Sequence, residues 1–262
     1  MNHSRFALIT GASSGIGNCF ARALAERGKS VILVARSEDK LHRLAAELGG
    51  AHQVRIEVMP FDLSVAGAGK ALADAIKARR LETDWVINNA GFGARGEFWK
   101  IPLARQLDMI HLHLNAMMEL THAFVPAMVE WREGGIINVS SMTSFQPMGY
   151  FAMYAATKAF MTSFSMGLAE ELRPYGVRVV TLCPGGTRTN FVVEGDTANR
   201  RRFPGGPQPP EEVVREALES LDQGGGLVVP RWPNKLTVFA QRFLPRETVA
   251  KMAARFSAPP RP

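Results

Sequence analysis

Tyr154 and Lys158 stand four residues apart in the amphipathic segment Phe151 to Tyr175, so on a helix they share one face, a single turn from each other. A phenol that titrates at about 10 exchanges protons poorly near neutrality, and an ammonium beside it favours the phenolate and makes the group useful as an acid or base. That spacing alone is common among surface pairs. It gains weight from Ser140-Ser141, which follows the apolar run Gly135 to Val139 and so places hydroxyls at the edge where open α/β sheets bind their ligands. A strand end followed by a helix start can aim Ser141 and Tyr154 at one carbonyl oxygen, an arrangement for moving a proton to or from that oxygen.

A second constellation lies near the amino terminus. The strand-like run Phe6 to Thr10 leads directly into Gly11-Ala12-Ser13-Ser14-Gly15-Ile16-Gly17 and then into a helical pattern, Gly15 to Arg27. Glycines at such a junction let the chain turn tightly and let a pyrophosphate approach amides at a helix N-terminus, where the dipole favours negative charge. Gly11, Ser13, Ser14, Gly15, Ile16 and Gly17 are therefore the candidate cradle of a dinucleotide. The end of the next run reads Val34-Ala35-Arg36-Ser37. A carboxylate there would bond a ribose 2′-hydroxyl and repel a 2′-phosphate. None stands at Ala35, and Arg36 can clamp a phosphate and stack on adenine, which predicts NADP(H) in preference to NAD(H).

Positioning both constellations requires a sheet whose strands end on one side. Short β-branched runs at Phe6 to Thr10, Ser30 to Ala35, Val54 to Val58, Trp85 to Asn88, Gly135 to Val139, Val177 to Cys183 and Leu227 to Val229 alternate with helical patterns. The helical segments are Gly15 to Arg27, Glu38 to Leu48, Gly67 to Arg79, Leu103 to Trp131, Phe151 to Tyr175 and Pro210 to Leu221. The alternation predicts a Rossmann-type α/β fold: a doubly wound, seven-stranded parallel sheet with helices on both faces. Two short C-terminal helices, about Lys235 to Phe243 and Arg246 to Phe256, should follow. Residues 1–230 then form the dinucleotide-binding and catalytic domain and 231–262 a helical extension of it. Leu236, Phe239 and Phe243 recur at helical spacing beside Arg242, with Lys251 and Arg255 further on. That pattern fits packing within the fold or a dimer better than a basic amphipathic surface touching a membrane. The stretch of about 190–210, rich in glycine and proline, reads as a loop over the substrate.

Composition narrows the partners. With 262 residues, 46% of them hydrophobic and 21% charged, the chain can bury a large core, which excludes general disorder. No apolar run approaches the roughly 20 residues of a spanning helix, and the first strand begins too early for a cleavable signal, so a soluble, cytoplasmic protein is expected. The two cysteines, Cys19 and Cys183, supply neither a disulfide framework nor a zinc site, and read as buried small residues; no metal is implied. The net charge of +7 is mostly scattered and accompanies no nucleic-acid recognition motif. Its densest run, Arg200-Arg201-Arg202, reads as a solvated loop, with an anionic substrate handle, a carrier-protein partner or a membrane surface as the functional alternatives. His111 and His113 read as surface or satisfied helix residues, and His122 carries no role.

Together these residues resemble the short-chain dehydrogenase/reductase family in its single-domain form. The resemblance runs from about Arg5 to Val229 and rests on Thr10-Gly11-x-x-x-Gly15-x-Gly17, Asp62-Leu63, Asn88-Asn89-Ala90-Gly91, Asn115, Ser141, Tyr154-x-x-x-Lys158 and Pro184-Gly185. The interval of 13 from Ser141 to Tyr154 is the family's usual one and selects Ser141 over Ser140. The resemblance implies that Tyr154 is the general acid or base, and that Lys158 depresses its pKa and holds the nicotinamide ribose. It implies too that Ser141 bonds the substrate oxygen, and that Asn115 holds a water linking Lys158 to solvent. Asp62 and Leu63 would flank adenine, Asn89, Ala90 and Gly91 would run along the cofactor ribose, and Pro184, Gly185, Thr187 and Thr189 would meet the nicotinamide carboxamide. The implied reaction is NADP(H)-dependent interconversion of a ketone or aldehyde with an alcohol. The bulky segment Met142 to Met153 suggests an apolar or acyl-type substrate, with core or subunit packing of Met142, Phe145 and Met148 as its equal alternative. Association as a homodimer or homotetramer would use the long helices Leu103 to Trp131 and Phe151 to Tyr175. The contrasting possibility is a non-catalytic dinucleotide-binding sensor or membrane-surface scaffold that retains the fold.

Overall fold

A computed structural model describes residues 5–191, 193–194 and 206–258. The Arg200-Arg202 run and most of the loop around it lie outside the described residues. The strands are β1 (Phe6–Thr10), β2 (Ser30–Ala35), β3 (Ile56–Pro60), β4 (Thr83–Asn88), β5 (Gly93–Ala94), β6 (Gly134–Val139), β7 (Val177–Leu182), β8 (Val193–Glu194) and β9 (Gly226–Val228). Seven of them form one all-parallel sheet in the order β3-β2-β1-β4-β6-β7-β9. The sequence runs outward from β1 in one direction and from β4 in the other, so the strand order reverses between β1 and β4, the point at which such sheets open a crevice. The short β5 and β8 pair separately and tie the chain after β4 to the chain after β7.

The helices are α1 (Gly15–Glu26), α2 (Glu38–His52), α3 (Ala68–Ala78), α4 (Leu103–Ile110), α5 (Ala116–Trp131), α6 (Ala152–Leu172), α7 (Pro210–Asp222), α8 (Trp232–Ala240) and α9 (Arg246–Ser257). Alternation along each strand divides two cores. Ala7, Ile9, Val31 and Leu33 face Phe20 and Leu24 of α1, Leu41 and Leu44 of α2 and Val213 and Leu218 of α7. Phe6, Leu8, Ile32 and Val34 face Leu72 and Ile76 of α3 and Leu120 and Phe124 of α5. A sheet buried on both faces needs apolar residues at every strand position, which is why these runs read as continuous rather than alternating. Each fully buried Leu, Ile or Phe contributes about 1.5–3 kcal/mol.

Three expectations need correction. The helix expected over Leu103 to Trp131 is interrupted by a π turn at His111–Asn115. One extra residue per turn shifts the facing of everything before it relative to everything after, and such insertions concentrate at functional sites. The third strand begins at Ile56 rather than Val54, because Gln53 ends α2 in the left-handed conformation (φ 49°) and pairing with β2 sets the register from Val31 opposite Ile56. Of the two packings expected for the apolar stripe of the C-terminal helices, within the fold or in a dimer, the first is not found: Asn234 and Val238 are the buried residues of α8, whereas Leu236, Phe239 and Phe243 are exposed. No helix of the described residues is long and apolar enough to cross a membrane.

Candidate active site

The carboxyl ends of β1, β4, β6 and β7 collect the chemistry-bearing residues. At β1, Gly11 and Gly15 adopt the left-handed φ that glycine allows (68° and 55°). A side chain at Gly17 would stand 2.3 Å from the Gly11 carbonyl oxygen, so only hydrogen fits where α1 crosses the turn. Ser14, at the N-cap of α1, makes no capping bond with its side chain, and the first turn holds no acidic residue. The amide end of α1 is thereby left for an outside anion, and the residues fit a dinucleotide pyrophosphate. Ser13, Ser14 and Ile16 are half-buried along the turn. Thr10 fixes the neighbouring strand end: its hydroxyl accepts from the amides of Asn89 and Ala90, both at 3.0 Å, and donates to the Ile87 carbonyl. Asn89 returns the bond, donating through Nδ2 to the Thr10 carbonyl at 2.9 Å. Gly91 follows with no room for a side chain, since a Cβ would lie 2.8 Å from Nε2 of His113.

Arg36 projects from the end of β2, exposed, with Nη1 4.0 Å from the Asp62 carboxylate. Burial raises the Asp62 pKa, but hydrogen bonds from the Ser64 hydroxyl and amide, and then the Arg36 charge, outweigh it and hold the carboxyl below its ordinary value. Leu63 sends its side chain into the core beside Ala68 and Leu72, so toward the crevice it can offer only backbone.

The end of β6 is laced to α6. Lys158 Nζ donates to the Val139 carbonyl at 2.8 Å, and Ser140 Oγ donates to the Lys158 carbonyl at 2.9 Å. Ser140, also bonded to Thr162 at 2.7 Å, is thus committed to holding the helix against the strand. Ser141 is the hydroxyl that remains for the crevice. It accepts the Thr143 amide at 3.2 Å and hydrogen-bonds Tyr154. Tyr154 and Lys158 share the face that their spacing implies, with Nζ 5.7 Å from the ring centroid.

Their pKa values depart from expectation. Burial raises the Tyr154 phenol to about 12 against the pull of Ser141, and the Lys158 ammonium is not among its perturbers. Lys158 itself is pushed down to about 7 by burial. The expected depression of Tyr154 by Lys158 is therefore absent: with Tyr154 7% exposed and the amine turned to the Val139 carbonyl, desolvation exceeds attraction. Three rings enclose the phenol. Phe151 stacks on it at 4.4 Å, while Phe191 and His113 meet it edge-on at 5.9 and 5.8 Å. Phe191 brings the loop after β7 onto Tyr154.

Asn115 lies at the end of the π turn, where its amide pairs with His111 at 3.2 Å; no hydrogen bond of its side chain to Tyr154 or Lys158 occurs among the described residues. His113 takes the inward place. Nε2 accepts the Phe92 amide at 3.2 Å, which leaves Nδ1 to donate to Thr157 at 2.9 Å, and Thr157 donates to the Tyr154 carbonyl at 2.8 Å. Burial and then the Lys158 charge hold this imidazole well below its ordinary pKa, so it is neutral. The reading of His113 as a satisfied helix residue stands, yet it touches Tyr154. Its recurrence with Met109, Ala116 and Leu120 at core-face spacing is the signal that could have placed it.

Pro184 accepts the Met142 amide at 3.0 Å, Thr187 donates to the Gly185 carbonyl at 3.1 Å, and Thr189 Oγ1 accepts the Phe191 amide at 3.2 Å. Thr189 closes over Gly15, where a Cβ would meet its side chain at 3.0 Å, so the segment after β7 reaches the cradle after β1. Met142 and Phe145 pack with Cys183 and Val238, and Met148 packs with Phe151 and Ala253, so these residues fill the join with α8 and α9.

A family model described as short chain dehydrogenase matches residues 5–199. The chain belongs to the short-chain dehydrogenase/reductase family. Among relatives of this reductase family member, hydroxysteroid dehydrogenase-like protein 1 of Gallus gallus is 31% identical over 204 residues, 77% of this chain but only 61% of that protein's length. A solved 7β-hydroxysteroid dehydrogenase superposes with a TM-score of 0.85 at 26% identity, covering 95% of this chain and 96% of the other. A short-chain dehydrogenase from Sphingobium yanoikuyae in complex with NADPH gives 0.79 at 30% identity, covering 91% and 93%.

Proposed function

We propose that the protein is an NADP(H)-dependent oxidoreductase that reduces an apolar ketone or aldehyde to an alcohol, or runs the reverse oxidation. The observation that carries this reading is the grouping of Ser141, Tyr154 and Lys158 at the sheet edge that also bears the glycine cradle. The nicotinamide cofactor, when bound, supplies the hydride for the carbonyl carbon. Gly11, Ser13, Ser14, Gly15, Ile16 and Gly17 would hold its pyrophosphate, Arg36 its 2′-phosphate, and Asp62 and the Leu63 backbone its adenine. Asn89, Ala90, Gly91, Tyr154 and Lys158 would line the ribose side, and Pro184, Gly185, Thr187 and Thr189 the carboxamide.

The chain's own part is proton supply and positioning. Tyr154, held protonated up to about 12, is a donor at every physiological pH and suits delivery of a proton to an oxygen that is becoming an alkoxide. Ser141, bonded to that phenol, would orient the carbonyl oxygen toward it. Lys158 at about 7 is charged in part near neutrality and can restore the proton, with Asn115 the candidate holder of a relaying water. Phe151, Phe191 and His113 exclude water around the phenol.

The apolar substrate is supported by those rings and by the 7β-hydroxysteroid dehydrogenase among the similar solved structures. Association as a homodimer or homotetramer is supported by exposed apolar residues on α4 and α6, among them Leu103, Leu107, Phe160 and Met166. Residues 1–230 act as the dinucleotide-binding and catalytic unit, 231–262 as its extension, in the cytoplasm. The test is Tyr154→Phe: carbonyl-dependent NADPH oxidation should fall by roughly 10³-fold while the cofactor still binds. An unchanged rate would sink the reading, and wild-type chain that binds NADPH yet turns over no carbonyl in a broad panel would make it the non-catalytic sensor instead.

A further inference from the structure

Residues 231–262 contain seven lysines and arginines against one acid, Glu247, so this eighth of the chain carries a net +6 of the whole molecule's +7. Arg231 is committed to Glu212 at 3.2 Å. Lys235, Arg242, Arg246, Lys251 and Arg255 are exposed and make no ion pair among the described residues. The net charge, which reads as mostly scattered along the sequence, is therefore concentrated in this segment.

The same segment turns its apolar side outward. Trp232, Leu236, Phe239 and Phe243 recur one helical turn apart and are 74%, 55%, 54% and 73% exposed. The residues that anchor α8, Asn234 and Val238, lie on the opposite side of the helix. Lys235 and Arg242 stand roughly 70–90° round the axis from the stripe. An amphipathic helix in a folded body normally buries its apolar stripe, and here the stripe is what it displays.

We propose that the stripe Trp232, Leu236, Phe239 and Phe243, with the basic side chains beside it, is a docking surface for an anionic lipid bilayer. Aromatic and aliphatic side chains enter the headgroup and acyl boundary while neighbouring lysines and arginines meet lipid phosphate, the pattern of helices that lie in a membrane interface. A second copy of the chain is the weaker occupant. A two-fold contact of stripe on stripe would bring Lys235 and Arg242 of each copy toward the same cations of the other, and like charges at an interface oppose association. The mode is peripheral, since no described helix can span a bilayer. Docking would also place the site at the bilayer, because α8 and α9 form part of its surround: Asn234 packs on Gly185 and Ala254 on Gly149. That last consequence, an apolar carbonyl compound taken from the lipid phase, rests on the oxidoreductase reading; the docking itself does not.

The test uses the full chain and sedimentation with vesicles of phosphatidylcholine, alone or mixed with phosphatidylglycerol. The protein should bind the mixed vesicles and leave the neutral ones, and added salt should weaken binding by screening. The combined variant Leu236→Ser, Phe239→Ser, Phe243→Ser should lose binding by roughly tenfold or more, and Lys235→Glu with Arg242→Glu should do the same through charge alone. All these side chains are exposed, so thermal melting and dinucleotide binding should remain those of the wild type. Equal binding to both vesicles, binding to neither, or a serine variant that binds as well as wild type each overturns the proposal. So does a serine variant whose mass by light scattering drops, from a parent that ignores vesicles, since the stripe is then a subunit contact. Because vesicle binding is read without turnover, its failure leaves the enzymatic reading untouched.

Discussion

The candidate cradle after β1 and the candidate catalytic edge after β6 meet in one crevice but are made in different ways. The cradle is backbone: three glycines, a helix N-terminus without a side-chain cap, and Thr10 and Asn89 binding main-chain groups, all within one turn or one neighbouring strand. The catalytic edge is made of side chains from separate elements, with Tyr154 enclosed by Phe151, by His113 from a π turn 41 residues earlier and by Phe191 from the loop after β7. A backbone site tolerates no added atom, whereas a side-chain site tolerates changes in packing but shifts its chemistry with each one.

Adjacent serines give the sharpest break of that contrast. Ser141→Ala should lower kcat by roughly 10²-fold with little change in melting temperature. Ser140→Ala should lower stability by about 1–3 kcal/mol, through loss of its buried hydrogen bonds to the Lys158 carbonyl and the Thr162 hydroxyl, with a smaller loss of rate. Chemical denaturation and steady-state kinetics on both variants check this, and exchanged phenotypes would mean that the two roles are reversed.

On the cradle side, Arg36→Ala should raise the NADPH dissociation constant by roughly 10–100-fold, the worth of one charge-assisted phosphate contact, and leave NADH nearly unchanged. Equal losses for both dinucleotides, measured by fluorescence titration, would assign Arg36 to adenine stacking instead.

The smallest effect is in pH. Lys158 titrates at about 7 when folded and at about 10.5 when unfolded, so between those values the unfolded chain binds more protons and stability rises with pH. The slope cannot exceed about 1.4 kcal/mol per pH unit for one proton. Between pH 7 and 9 the melting temperature of wild type should climb relative to Lys158→Met, which has no such proton to lose. Parallel curves would show that the amine is not desolvated as its burial implies.

Much of this was legible in advance, for stated reasons. β1, β2 and the start of α1 were readable to the residue because continuous apolar runs and glycine-bearing turns are local signals. β4 begins two residues before Trp85, at Thr83 and Asp84, which hydropathy does not mark; Asp84 is buried in the strand through its ion pair with Lys29 at 2.7 Å. The β5 and β8 pair, two residues each, is too short for any periodicity to reveal.

By itself the sequence determined the order of elements, the glycine turn and the one-turn spacing of Tyr154 and Lys158, because each depends on neighbours in the chain. Tertiary structure alone decided the rest. That Ser140 is spent on the Lys158 carbonyl and Thr162, that His113 lies against Tyr154, that burial drives the Tyr154 and Lys158 pKa values apart, and that the stripe of α8 faces outward all depend on what distant segments cover or leave uncovered. Desolvation and contact are set by atoms brought together across the fold, and no local pattern encodes them.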